Sequence, residues 1–264
     1  MKRIACLVLG LLVLTSVGYG EDWTKTFSIA GKPDLKVETS DAHILVDTWE
    51  KNTIAAHITT ENLKIGEGGV RISDRQNGDA VELEVKLPNE YCVFCLRAHS
   101  RRIEITIHMP REGKVNLHTG DGKIKLSNFK GDMQLDTGDG DADADGLDGS
   151  LRAHTGDGHI RVAGRFDALD LKTGDGRIEA TVMPGSTLTN LWDLKTGDGN
   201  VFLRLPADFA ADLDLHTSDG HITADIPVTV EGNFGRNNLR GKINGGGKVM
   251  TVRTGDGSIT LAKT

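Results

Sequence analysis

One four-residue word constrains this chain more than anything else in it. Thr-Gly-Asp-Gly begins at Thr119, Thr137, Thr155, Thr173, Thr196 and Thr254, and the variant Thr-Ser-Asp-Gly begins at Thr217. In chain order the spacings are 18, 18, 18, 23, 21 and 37 residues. A fixed period of this kind marks a repeat architecture, in which no single unit buries its apolar face alone and stacked neighbours share one core. A weaker relative, Thr39-Ser-Asp-Ala42, precedes His43-Ile-Leu-Val46 and suggests that the same unit opens the mature chain.

Within each unit the hydrophobic period is two. Ile160 and Val162 alternate with polar residues after the motif, and Leu169 and Leu171 do so before the next one. Alternation over short runs predicts half-buried strands. The same inward positions recur as Ile124/Leu126, Ile178/Ala180, Val201/Leu203, Ile222/Ala224 and Ile259/Leu261. Upstream they recur as Met133/Leu135, Leu151/Ala153, Leu213/Leu215 and Met250/Val252, with the motif threonine in phase. Each unit therefore reads as two short strands joined at a Gly-Asp-Gly corner. The fold expected is all-β, a β-solenoid of stacked coils about 4.8 Å apart; the alternative is a β-sandwich of hairpins. Equal spacing with identical corners favours stacking.

Stacking would bring Asp121, Asp139, Asp157, Asp175, Asp198, Asp219 and Asp256 into one column. Like charges at that separation repel by about 1–3 kcal/mol at intermediate dielectric, so backbone amides or a cation must offset them. The reading favoured here is structural: each carboxylate turns back onto neighbouring amides, and the glycines supply positive φ at the bend. Calcium is the weaker alternative. The richest acidic run, 139–146, sets Asp141, Asp143 and Asp145 at the first positions of a calcium loop. Arg152 falls where the bidentate carboxylate belongs, so the run reads better as a solvated strand face with Ala142 and Ala144 inward. No cofactor is expected. His154, Asp157 and His159 could gather at one corner, and a surface cluster is the simpler reading.

The first twenty residues carry a basic start, Lys2-Arg3, an apolar run from Ile4 to Val17 and the small residues around Gly20. They read as a signal peptide, 1–20, with no transmembrane segment in the mature chain. The expected location is the periplasm, the cell surface or the medium. An exported setting permits a disulfide between Cys92 and Cys95; a redox pair, or a metal site with His99, is the lesser alternative. The net charge is −7, and −9 once Lys2 and Arg3 are set aside. An acidic chain is a poor match for nucleic acid. Residues 21–110 carry strand-like stretches at 26–29, 43–46, 54–58, 81–85 and 103–107 but no exact motif, and are expected to form an N-terminal β cap. Residues 111–264 form the repeat domain, with an inserted hairpin and one degenerate coil expected between 217 and 254.

The motif series, Leu239-Arg-Gly-Lys-Ile-Asn-Gly-Gly-Gly247 and Arg253-Thr-Gly-Asp-Gly-Ser-Ile-Thr-Leu261 together resemble the bacterial putative-adhesin domain-of-unknown-function family. The resemblance covers nearly all of the mature chain. It implies an exported β-repeat protein and brings no catalytic residues; the Cys92/Cys95 loop is an addition to the pattern. The function expected is a non-enzymatic envelope or surface scaffold, an adhesin or binding protein for an envelope or surface protein or another cell-surface ligand. Aromatics make up only 5% and are scattered, which disfavours sugar platforms. The alternatives are a polysaccharide-acting enzyme on a β-helix, which would need clustered carboxylates, and a calcium-dependent envelope module.

Overall fold

The computed structural model describes residues 20–87, 102–231 and 235–264. The leader, Cys92, Cys95 and His99 lie outside the described residues. Among the described residues seven strands precede the one that runs into the first exact motif: β1 (Asp22–Ser28), β2 (Asp34–Thr39), β3 (His43–Trp49), β4 (Thr53–Glu61), β5 (Arg71–Asn77), β6 (Ala80–Lys86) and β7 (Arg102–Pro110). The array continues through β8 (Glu112–Thr119), β9 (Ile124–Ser127), β10 (Lys130–Thr137), β11 (Ala142–Thr155), β12 (Ile160–Thr173), β13 (Ile178–Val182), β14 (Trp192–Thr196) and β15 (Val201–Leu205). It closes with β16 (Ala211–Thr217), β17 (Ile222–Ala224), β18 (Thr229–Val230), β19 (Asn238–Ile243), β20 (Val249–Thr254) and β21 (Ile259–Lys263). The fold is all-β and solenoid-like.

Each motif joins a strand of one ladder, face A, to a strand of a second ladder, face B. Along face A the parallel order is β6, β2, β8, β10, the second half of β11, the second half of β12, β14, β20 and β16. Along face B it is β7, β3, β9, the first half of β11, the first half of β12, β13, β15, β21 and β17. Motif threonines sit in register: Thr119 with Thr137, Thr137 with Thr155, Thr173 with Thr196 and Thr254 with Thr217.

Alternation explains the core. The predicted inward positions of both ladders are buried, apart from the half-buried Ala224 at the short last strand, and they form one continuous hydrophobic cluster. Removing such rows of Ile, Leu and Val from water stabilises by about 25 cal/mol per Å² of apolar surface. Where the spacing lengthens to 23 residues, the extra chain lies in the loop 183–191. There Trp192 is fully buried, edge-on to Phe166 (6.5 Å between centroids) and 5.0 Å from Phe209.

Chain order and stacking order part company at both ends. The coil β2–β3 comes first in the chain but stacks second, inside the pair β6 and β7. The coil β20–β21 comes last but stacks between β14–β15 and β16–β17. Among the described residues the stretch 217–254 supplies the antiparallel hairpin β18–β19, laid on β16, but no degenerate coil; the chain returns instead to wedge its last coil into the stack. Antiparallel strands then blunt the edges, β4 and β1 beyond β7 and β5 beyond β6. Lys25 pairs with Asp74 and Gln76 Nε2 donates to Ser28 O at 2.7 Å, tying the edge strands β1 and β5 together. Covering an edge in this way denies it to another chain.

Candidate functional site

The corners are the most regular feature of the molecule. In stacking order the row runs through Asp41, Asp121, Asp139, Asp157, Asp175, Asp198, Asp256 and Asp219, each exposed. The structure thus lines up the seven motif aspartates. It gives the bracing to another residue. Among the described residues none of the seven carboxylates accepts a hydrogen bond, and the motif threonine does that work. Thr155 Oγ1 donates toward Gly138 O (3.1 Å) and Gly140 O (3.0 Å) of the coil before it and accepts from Gly158 N of its own corner (3.1 Å). The same arrangement recurs at Thr137, Thr173, Thr196, Thr254 and Thr217. A buried hydroxyl can serve as donor and acceptor at once, so one side chain ties two coils and closes its own turn.

The glycines also act differently from expectation. None of the motif glycines has a positive φ. The last glycine of each motif is needed because the coils touch there: a Cβ on Gly140 would lie 2.0 Å from Gly122 O, and one on Gly158 would lie 1.9 Å from Gly140 O. The obstacle is backbone, which has nowhere to move.

A second ladder runs one residue further on. The side chain after the motif accepts the backbone N–H of its counterpart in the next coil. Lys123 N donates to His43 Nδ1 (2.9 Å), His159 N to Asp141 Oδ1 (3.0 Å), Arg177 N to His159 Nδ1 (3.0 Å) and Ser258 N to Asn200 Oδ1 (2.8 Å). Lys123 and Arg177, which have no acceptor, interrupt it.

Outward charges are tied both within a coil and from coil to coil. On face B, Asp141 and Asp143 share Arg161 (3.1 and 2.8 Å), Lys123 pairs with Asp143, and Ser127 Oγ donates to Asp145 Oδ1 at 3.0 Å. Partial burial opposes ionisation of Asp141, but the His159 N–H and the Arg161 guanidinium hold its carboxyl below the ordinary range. Bonds to Asp143 raise Arg161 in turn. Of the three candidate calcium carboxylates, Asp141 and Asp143 are thus engaged with cations of the chain itself, and Asp145 with the Ser127 hydroxyl. Among the described residues no group of three or more His, Cys, Asp or Glu is arranged to hold a metal ion. On face A, Asp170 meets Lys172 (2.9 Å), His154 (3.4 Å) and Arg152 (3.7 Å), and the nearly buried Asp193 meets Lys195 (2.7 Å). Burial works against the Asp170 charge, yet Lys172 and His154 hold its carboxyl low. His154, Asp157 and His159 do not gather: His154 belongs to the face A zipper, and His159 to the ladder on face B.

Face A also carries a shallow groove of about 420 Å³ crossing β2, β8, β10, β11 and β12. Its lining includes the small side chains Ser150 and Ala168, the polar and charged Lys114, Gln134, Arg152 and Asp170, and the exposed Leu191. Leu191 neighbours Val249, which is also exposed, since Trp192 pairs with Met250 one residue on. Sequence reading placed the outward columns but missed this groove, whose only signal was the drop to small residues at two successive outward positions.

Three comparisons bear on the chain. A family model described as Toastrack DUF4097 matches residues 30–262. No curated protein matches. Among solved structures, a putative cell adhesion protein from Clostridium sporogenes is similar at 15% identity over 93% of this chain and 100% of that one, with a TM-score of 0.44. A putative lipid binding protein from Parabacteroides distasonis is similar at 14% identity over 92% and 98%, with a TM-score of 0.40. A putative adhesin from Bacteroides fragilis is similar at 8% identity over 91% and 97%, with a TM-score of 0.31. Among the described residues no helix is long and apolar enough to cross a membrane.

Proposed function

The chain belongs to the Toastrack DUF4097 family, and from that premise we propose that it is an exported, non-enzymatic binding scaffold of the cell envelope or surface. One observation carries the reading. Outward charges beside the corners are committed to one another within and across coils, as in the Asp141–Arg161–Asp143 and His154–Asp170–Lys172 sets. The exposed corner aspartates recur once per coil as a uniform row, with no pair set apart as acid and base, and a fixed lattice of charges suits display and recognition. The adhesion and adhesin names carried by the similar proteins from Clostridium sporogenes and Bacteroides fragilis agree with this reading. The contact surface assigned is the face A groove, whose lining combines the small Ser150 and Ala168 with charged side chains and Leu191.

The test is capture. Immobilised full-length protein is offered an envelope extract, and bound material is identified by mass spectrometry beside the double variant Arg152→Glu, Leu191→Asp. Saturable capture that the variant loses supports the proposal. Release of sugar ends from a polysaccharide panel would overturn it, and capture undiminished in the variant would remove the groove from it.

A further inference from the structure

We propose that the threonine ladder protects the Asp–Gly bonds of the repeated corners from spontaneous isomerisation, and that among those corners Asp121–Gly122 is the one left open to isoaspartate formation. Asp followed by Gly is the sequence most open to this reaction, because glycine leaves its own backbone nitrogen unshielded. That nitrogen attacks the aspartate side-chain carbonyl carbon. A C–N bond forms, the carboxyl oxygen and two protons leave as water, and a five-membered succinimide results. Water then opens the ring at either carbonyl, restoring aspartate or inserting the extra backbone carbon of isoaspartate. The step needs no oxidant and no enzyme. It does need the glycine N–H to be free to swing onto the side chain and give up its proton.

The chain repeats that hazard at every corner, and all seven motif aspartates are exposed. At six of them the nitrogen at risk is the one the threonine holds. Gly140 N donates to Thr137 Oγ1 (3.2 Å), Gly158 N to Thr155 (3.1 Å), Gly176 N to Thr173 (3.2 Å) and Gly199 N to Thr196 (3.2 Å). Gly220 N donates to Thr217 (3.0 Å) and Gly257 N to Thr254 (3.3 Å). Those hydroxyls are buried and anchored to the coil before them, so the amide cannot turn without breaking the stack. At the seventh corner Thr119 Oγ1 donates to Ala42 O at 3.0 Å, and the Gly122 N–H donates no hydrogen bond among the described residues. This corner rests on the Thr-Ser-Asp-Ala relative, whose own threonine, Thr39, has a buried hydroxyl without a partner among the described residues.

Purified full-length protein is aged at neutral pH below its melting temperature, and isoaspartate at each site is read by peptide mapping with fragmentation that separates the two isomers. Asn77–Gly78, in a hairpin turn outside the ladder with Gly78 at φ +60°, confirms by its deamidation that the chemistry proceeds in the sample. Isoaspartate is expected first at Asp121, several-fold ahead of the other six. In Thr137→Val, which keeps the shape and removes the hydroxyl, Asp139 should join Asp121 while Asp157 and Asp175 stay silent. Equal ageing at all seven sites in the unmodified protein would overturn the proposal, as would a variant in which Asp139 ages no faster than before. A uniform rise at every site of the variant would also count against it, since only a selective rise is local protection lost.

Discussion

The middle of the stack and its two ends are built from the same coil by different rules. Between Thr119 and Thr173 the chain climbs one coil every 18 residues, and sequence neighbours are stacking neighbours. At both ends it skips a place and fills the gap with a segment from elsewhere, β2–β3 at one end and β20–β21 at the other. A solenoid that simply stopped would leave its last strands paired on one side only. By interleaving, the chain gives β20 partners on both sides, β14 and β16, and β21 partners in β15 and β17. The middle is held together by local repetition, the ends by long-range closure.

The comparison is broken most severely by deletion. Removing residues 138–155 takes out one whole period, joins Thr137 to Gly156-Asp157-Gly158 and leaves every column in phase. That variant should fold cooperatively, with a melting temperature a few degrees lower, as nearest-neighbour stacking predicts. Removing residues 249–264 is no longer a cut but takes the coil that joins β14–β15 to β16–β17. Cooperative unfolding of the C-terminal third should disappear. Calorimetry of both settles the matter, and equal tolerance of the two deletions would show that interleaving adds nothing.

Glycine comes next. In the middle, Gly140→Ala drives a Cβ into Gly122 O, and overpacking against backbone should cost about 3 kcal/mol or more. Near the C-terminal end, Gly247→Ala meets its nearest neighbour, Ala210 O, at 3.6 Å and should be close to neutral. Urea midpoints of the pair measure the difference; a tolerated Gly140→Ala would mean that the coils can separate freely at their corners.

The hydroxyl ladder gives a smaller contrast of the same kind. Thr155→Val leaves Gly158 N and the Gly140 carbonyl without their shared partner, at about 1–3 kcal/mol for buried polar groups left unpaired. Thr39 occupies the equivalent place in the first coil of the row, but its buried Oγ1 has no partner among the described residues. Thr39→Val should therefore be neutral or mildly stabilising. Chemical denaturation of both variants reads the difference, and similar losses would dissolve the distinction between middle and end.

These contrasts also mark what the sequence made legible. Period-two patterning and the recurring word foretold the strands, the inward columns and the single row of corners, because each is a local property copied every 18 residues. Stacking order at the ends was not legible. Thr217 and Thr254 carry nearly the same motif, and nothing in either says which lies outermost; that depends on which coil the β18–β19 hairpin can cover. The division of labour inside the motif was misread for a different reason. Aspartate is the usual residue to brace a turn, and the in-phase, buried threonine held the decisive signal: a hydroxyl pointing inward among carbonyls must bond to them.

The finest contrast is between two aspartates, and pH separates them. Asp170, in the middle, has its carboxyl held low by Lys172 and His154 despite partial burial. Its contribution is present above the unfolded value of about 3.9 and is lost as pH falls through its lower folded value. Asp170→Asn should therefore weaken the protein at neutral pH and flatten the acid limb of its stability curve. Asp41, at the end of the corner row, is pushed the other way, by desolvation first and then by the Asp121 carboxylate beside it. A raised folded value means that stability falls as pH climbs from about 3.9 through that value, because the folded state gives up its proton less readily than the unfolded chain. Asp41→Asn removes that opposition and should stabilise at neutral pH, with the gain fading in acid. Urea titrations across the acid range compare the two. Curves displaced in the same direction would mean that the crowding of like charge at the row's end is too weak to register, and that the corners tolerate their aspartates equally from first coil to last.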